Sequence, residues 1–344
     1  MMSLQLGLLL LGILVLLAMA GYYAWLARKS RPRQAQPSEP RTMEQEEDRI
    51  EPHLIDFPLA GDALASPPPE KKPGLDALID ALAPIALEAP VSGEAILAAL
   101  PSTRRVGSKP FAVEGFNTAT QRWEPPTAGQ SYSQLQAGVQ LANRSGALND
   151  IEFSEFVMKT QEFCDAINGT PDLPVMRSEV NRARELDQFA SGHDAQLVLM
   201  VQARRVAWSP SYIQQTAAAH GFVMGSLAGR LVMSAAAAGL PPLVSLSFDA
   251  QAALADDPTQ SALRQITLGL DVAQVDRNEK PFEHLRAVAE ALAQEMDGVV
   301  TDDQGAALSP EAMTVIAAEL EQLYDILAQR ELAAGSPLAR RLFS

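Results

Sequence analysis

One cysteine, Cys164, occurs in 344 residues. A single thiol closes no intrachain disulfide, so no disulfide framework holds this chain, as suits a reducing compartment. Histidine is nearly as scarce. His53, His193, His220 and His284 lie far apart, none at metal-ligand spacing with a cysteine or carboxylate. The sequence carries no GxxxxGK(S/T) phosphate loop and no GxSxG nucleophile elbow. Basic patches are missing too, apart from one short cluster, and the formal net charge is −15. Binding to nucleic acid needs clustered cations to neutralise phosphates, so that class is excluded. These absences nominate no catalytic residue, metal ligand, cofactor or small-molecule substrate.

Long apolar runs are absent as well, with one exception. Leu4 to Leu26 is an apolar stretch broken only by Gln5, with Tyr22, Tyr23 and Trp25 at its end and Arg28, Lys29, Arg31 and Arg33 beyond it. Twenty-odd residues at about 1.5 Å each cross the roughly 30 Å hydrocarbon core. Residues 4–26 are therefore expected to form one transmembrane helix. The cations that follow set the remainder of the chain on the cytoplasmic side. A cleaved secretory signal is the competing reading, because Ala18-Met19-Ala20 is a small-x-small site. It lacks the basic n-region that such a signal carries.

Residues 27–103 read as a basic flank and a disordered linker. Pro32, Pro37, Pro40, Pro52, Pro58, Pro67-Pro68-Pro69 and Pro73 punctuate a polar stretch with an acidic block at Glu44–Glu51. Too few apolar residues stand together there to offset the entropy of ordering. Towards its end, Leu75, Leu78, Ile79, Leu82 and Ile85, then Ile96, Leu97 and Leu100, suggest short helices.

Beyond about residue 104 the pattern is α+β: an antiparallel sheet with helices on one face. Phe111–Asn117 and Tyr132–Asn143 read as strands, followed by a helix capped by Asn149 and ending at Asn168-Gly169, then another after Pro174. From residue 193 to 332 the expected order is β-α-β-β-β-α-β-α. Its strands are Leu197–Val201, Phe222–Met233, Leu243–Phe248, Ile266–Val272 and one starting at Gly298. Its helices start at Ser209-Pro210, Pro281 and Ser309-Pro310, where Ser before Pro is a cap-and-start device. Residues 104–192 form an additional region, and its strand-helix-helix order echoes the C-terminal one as a degenerate half-repeat. Cys164 falls on an apolar helix face and reads as structural. Asp302-Asp303 reads as a turn, and Gly221, Gly225 and Gly229 as sites of bending or close backbone approach.

The stretch Asp297-Gly298-Val299-Val300-Thr301-Asp302-Asp303-Gln304 before Ser309-Pro310, with His220-Gly221-Phe222-Val223-Met224-Gly225 and Ile266-Thr267-Leu268, resembles the ZipA family of bacterial cell-division proteins. The anchor, basic flank and Pro-rich acidic linker resemble its layout. The resemblance implies a single-pass protein of the inner membrane, N-terminus periplasmic, that tethers FtsZ at the division site. It also implies a shallow groove on the open sheet face for the C-terminal peptide of FtsZ. Carried over by position, that groove comprises Ala195 or Leu197, Leu227 with Gly229, Phe248 or Asp249, Thr267 and Gly269. Gly269 stands where the family has a phenylalanine. A different reading gives residues 104–192 a separate partner among division or envelope proteins.

Overall fold

The computed structural model describes residues 32–34, 74–235, 237, 239–255 and 261–344; the apolar run 4–26 and most of the linker lie outside them. Among the described residues no helix is long and apolar enough to cross a membrane. The chain divides into two compact units. An amino-terminal unit holds residues 74–194 and 336–344, and a carboxy-terminal unit holds 195–335 with 32–34.

The amino-terminal unit runs β1 (Asp80–Leu87), α1 (Gly93–Ala99), β2 (Lys109–Asn117), β3 (Ser131–Gln140), α2 (Asp150–Ile167), β4 (Gly169–Pro171) and α3 (Met176–His193). Its sheet is antiparallel, in the order β2-β3-β1-β4, with the short strand Arg105–Val106 outside β2. This corrects the expectation of a linker to residue 103. The segment read as a short helix from Leu78 to Ile85 supplies β1, an inner strand whose Ala81, Ala83 and Ile85 are buried. Alanine and proline are poor strand formers, so the sequence Asp-Ala-Leu-Ala-Pro-Ile-Ala-Leu carries little strand signal, and pairing on both edges decides its state. The second short helix does form, as α1, capped by the Ser92 hydroxyl. Helix α2 starts at a capping box of Asn149 and Glu152. It buries Phe153, Phe156, Phe163 and Ile167 in a core with Phe111, Leu135 and Val139.

The carboxy-terminal unit runs β5 (Gln196–Ala203), α4 (Pro210–Ala219), β6 (Phe222–Met224), β7 (Arg230–Met233), β8 (Val244–Ser247), β9 (Gln265–Asp271), α5 (Pro281–Glu295), β10 (Gly298–Thr301) and α6 (Pro310–Gln329). Its antiparallel sheet has the order β6-β7-β8-β9-β5-β10. The single strand expected at Phe222–Met233 is a hairpin of two, turned through residues 225–229. Gly229 has φ +74° there, and an added Cβ would lie 2.6 Å from the Phe248 carbonyl oxygen. Ser209 and Ser309 cap α4 and α6 as read from the sequence. Trp208 is fully buried and donates its Nε1–H to the Met296 carbonyl at 2.8 Å. Residues 32–34, expected within the linker, are bonded to this unit. The Arg33 N–H donates to the Ala207 carbonyl at 2.7 Å, and the Ser209 N–H to the Arg33 carbonyl at 2.9 Å. Past α6, a last helix α7 (Pro337–Leu342) packs in the amino-terminal unit; the sequence reading had stopped short of it.

Strand for strand, the two units share a topology. Each opens with a strand, β1 or β5, that lies between the last strand of a meander (β3 or β9) and the short strand after the next helix (β4 or β10). The registers run in step: Ile85 faces Leu135 as Val201 faces Ile266, and Leu82 faces Gly138 as Val198 faces Gly269. Helices α2 and α5 both end at a left-handed residue, Asn168 (φ +54°) and Asp297 (φ +56°). The glycine that follows each packs tightly on the first strand of its unit. A Cβ on Gly169 would lie 2.9 Å from Ile85 Cγ2, and one on Gly298 would lie 2.7 Å from Val201 Cγ1. The echo read from Tyr132 onward thus reaches back to β1.

Candidate functional site

Alternation along the carboxy-terminal strands separates two faces. Leu199 and Val201 of β5, Leu246 and Val244 of β8, and Ile266, Leu268 and Leu270 of β9 are buried. Helix α5 turns Phe282, Leu285, Val288, Ala289 and Leu292 inward and packs on β5 and β9. The opposite parity is open. Reading across the sheet, one row is Val223, Val232, Ser245, Gly269 and Val198, and the next is Arg230, Ser247, Thr267 and Met200. Val223 is 53% exposed and Val198 40%. Gly269 forms a low floor in the first row. An added Cβ there would meet the Ser245 Oγ at 2.9 Å and no other side chain within 4 Å.

The residues carried over from the family fall in three places. Thr267 and Gly269 lie together on the open face. Leu227 is 60% exposed in the β6–β7 turn. Gly229 shapes that turn, its carbonyl accepting the Phe248 N–H at 2.9 Å, while Asp249 caps the short helix Ala250–Ala253 through the Gln251 N–H. Leu197 faces Leu270 and shares the parity of Leu199 and Val201, the helix-packed side, and the Ala195 carbonyl bonds the Val272 N–H beside it. On β5 the open-face residues are Val198 and Met200, which position-by-position transfer missed. The signal available was weak: Leu197 to Val201 is uniformly apolar, so no period tells one face from the other.

In the amino-terminal unit the corresponding face is covered by its own chain. Gly138 stands where Gly269 does, yet it is buried, and a Cβ on it would fall 2.5 Å from Leu75 Cδ2. The Leu75 N–H donates to Glu114 Oε1 at 3.0 Å, and Gln136 Nε2 donates to Glu114 Oε2 at 3.0 Å. Alongside, Asp80 is fully buried and paired with Arg341 of α7, whose Nη1 donates to Oδ2 at 3.0 Å. The Gln140 side chain donates to the Arg341 carbonyl at 2.8 Å. Burial pushes the Asp80 carboxyl above its ordinary range, and the Arg341 guanidinium offsets only part of that.

Elsewhere the polar candidates have local duties. Asp302 Oδ1 accepts the N–H groups of Gln304 and Ala306 and so closes a turn. His220 pairs with Glu295, while His193 and His284 bond carbonyls of their own helices. Cys164 is buried, and burial pushes its thiol up to about 11. Among the described residues no group of three or more His, Cys, Asp or Glu is arranged to hold a metal ion.

An antiparallel sheet packed by helices on one side, with an apolar, glycine-floored strip on the other, defines a protein-binding module. Residues 249–319 match the family model described as ZipA, C-terminal FtsZ-binding domain, and the resemblance read from the sequence is borne out there. That family is a protein-binding division domain and not an enzyme family. The matched stretch includes β9, α5, β10 and the first half of α6. No curated protein matches the chain.

Proposed function

We propose that this chain is a membrane-anchored cell-division adaptor that receives the C-terminal peptide of FtsZ on the open face of its carboxy-terminal unit. Residues 4–26 anchor it in the inner membrane, with the N-terminus periplasmic, and it holds the Z-ring there. The observation that carries this reading is the coincidence of the family match at 249–319 with an uncovered apolar strip running through Gly269 and Thr267. Such a strip offers a few aliphatic contacts and no buried charge, which suits micromolar binding. Many anchors meeting one polymer raise the effective affinity without new contacts.

The bond between Arg33 and residues 207–209 sharpens the geometry. Seven residues separate Leu26 from Arg33. At roughly 3.5 Å each, they keep the docking unit within about 25 Å of the end of the anchor. Titrating the full chain in detergent with the FtsZ C-terminal peptide tests the reading. Saturable micromolar binding supports it, and no binding at high micromolar peptide to folded protein overturns it. A second reading gives residues 104–192 another division or envelope protein as partner. It is favoured by the exposed Ile151 and Met158, one heptad apart on α2.

A further inference from the structure

We propose that Gly269 is a socket, and that the bound peptide seats a leucine-sized aliphatic side chain over it, as Leu75 sits over Gly138 in the other unit. The inference rests on the docking reading above and adds which side chain the face selects. Gly269 does not need to be glycine for its backbone, since it lacks a left-handed φ. What glycine supplies is space between Val198 and Ser245. At the corresponding glycine the space is filled: Leu75 lies over Gly138, with its own N–H bonded to Glu114. Ser247 occupies the position of Glu114 in the shared register, and its hydroxyl can accept the same kind of backbone N–H. The carboxy-terminal unit supplies no leucine of its own, because the residues ahead of β5 are spent in helix α3, which runs to His193. A peptide in trans takes that role. Its chemistry is a short extended segment with one branched aliphatic residue and a free main-chain N–H beside it.

A double-mutant cycle tests the socket on the full chain. Gly269→Val fills it with a residue that strands favour, and thermal melting checks that the fold is kept. Relative to wild type, Gly269→Val is expected to weaken the FtsZ C-terminal peptide about tenfold or more. Replacing the peptide's docking aliphatic by alanine should weaken wild type similarly, but cost Gly269→Val little more. Should the valine variant fail to fold, Gly269→Ala gives the same reading in graded form. Equal affinity of folded variant and wild type, or penalties that simply add for every aliphatic residue of the peptide, would overturn the socket while leaving FtsZ docking in place. Absence of binding by wild type would remove the docking reading itself, and the socket with it.

Discussion

The amino- and carboxy-terminal units place a glycine at the same point of the same topology, and they treat the face above it oppositely. Over Gly138 the chain lays Leu75, and α7 closes the neighbouring edge through Arg341 and Asp80. Over Gly269 nothing is laid. The difference originates in what precedes the first strand. Leu75 and a turn lead into β1, whereas Asp194 and Ala195 alone join α3 to β5. One fold thus serves as a self-contained body or as a receptor, according to whether its own chain reaches the open face.

Perturbing the closed face is expected to have the largest effect. Arg341→Ala strands a fully buried carboxylate and should cost the amino-terminal unit about 3–5 kcal/mol in urea unfolding. Because Asp80 is raised in the folded state, its contribution is fully present below the ordinary Asp range and is lost as pH rises through the raised value. Removing the guanidinium raises it further, so the deficit of the variant should shrink as pH is lowered. The two tight glycines compare the units directly. Gly298→Ala should cost about 2–3 kcal/mol and Gly169→Ala about 1 kcal/mol, since the first Cβ also meets the Gln202 carbonyl at 3.0 Å while the second meets side-chain ends. Equal costs, or none, would break the structural equivalence of those two junctions.

Leu75→Ala uncovers Gly138 and should lose about 1–2 kcal/mol from a half-buried leucine, read by thermal melting, with FtsZ peptide affinity unchanged. The smallest effect concerns Cys164. With its thiol pushed to about 11, native protein at neutral pH should alkylate far more slowly than urea-unfolded protein. Equal rates would show that the helix opens readily.

Much of the carboxy-terminal unit was legible in sequence because its signals are local. The strict alternation at Ile266–Val272 delivers β9 within a residue, and Ser209-Pro210 and Ser309-Pro310 fix two helix starts. The capping box at Asn149 does the same for α2. Strand β1 was illegible because Leu75, Leu78, Ile79, Leu82 and Ile85 repeat at helical spacing while pairing with β3 and β4, far along the chain, overrides it. The Phe222–Met233 run hid a turn because its glycines break it only when Gly229 takes a positive φ. At the site, Thr267 and Gly269 could be read from alternation, whereas Val198 and Met200 could not. Nor could Leu75 over Gly138 be seen, since that contact depends on tertiary closure.

The central claim is that one face binds while its twin is filled from within. Hydrogen exchange on the full chain, with and without saturating FtsZ C-terminal peptide, tests it most directly. The account predicts added protection confined to β5, β8 and β9, with β1 and β3 unchanged. Added protection over β1 and β3, with β5 and β9 unaffected, would contradict it.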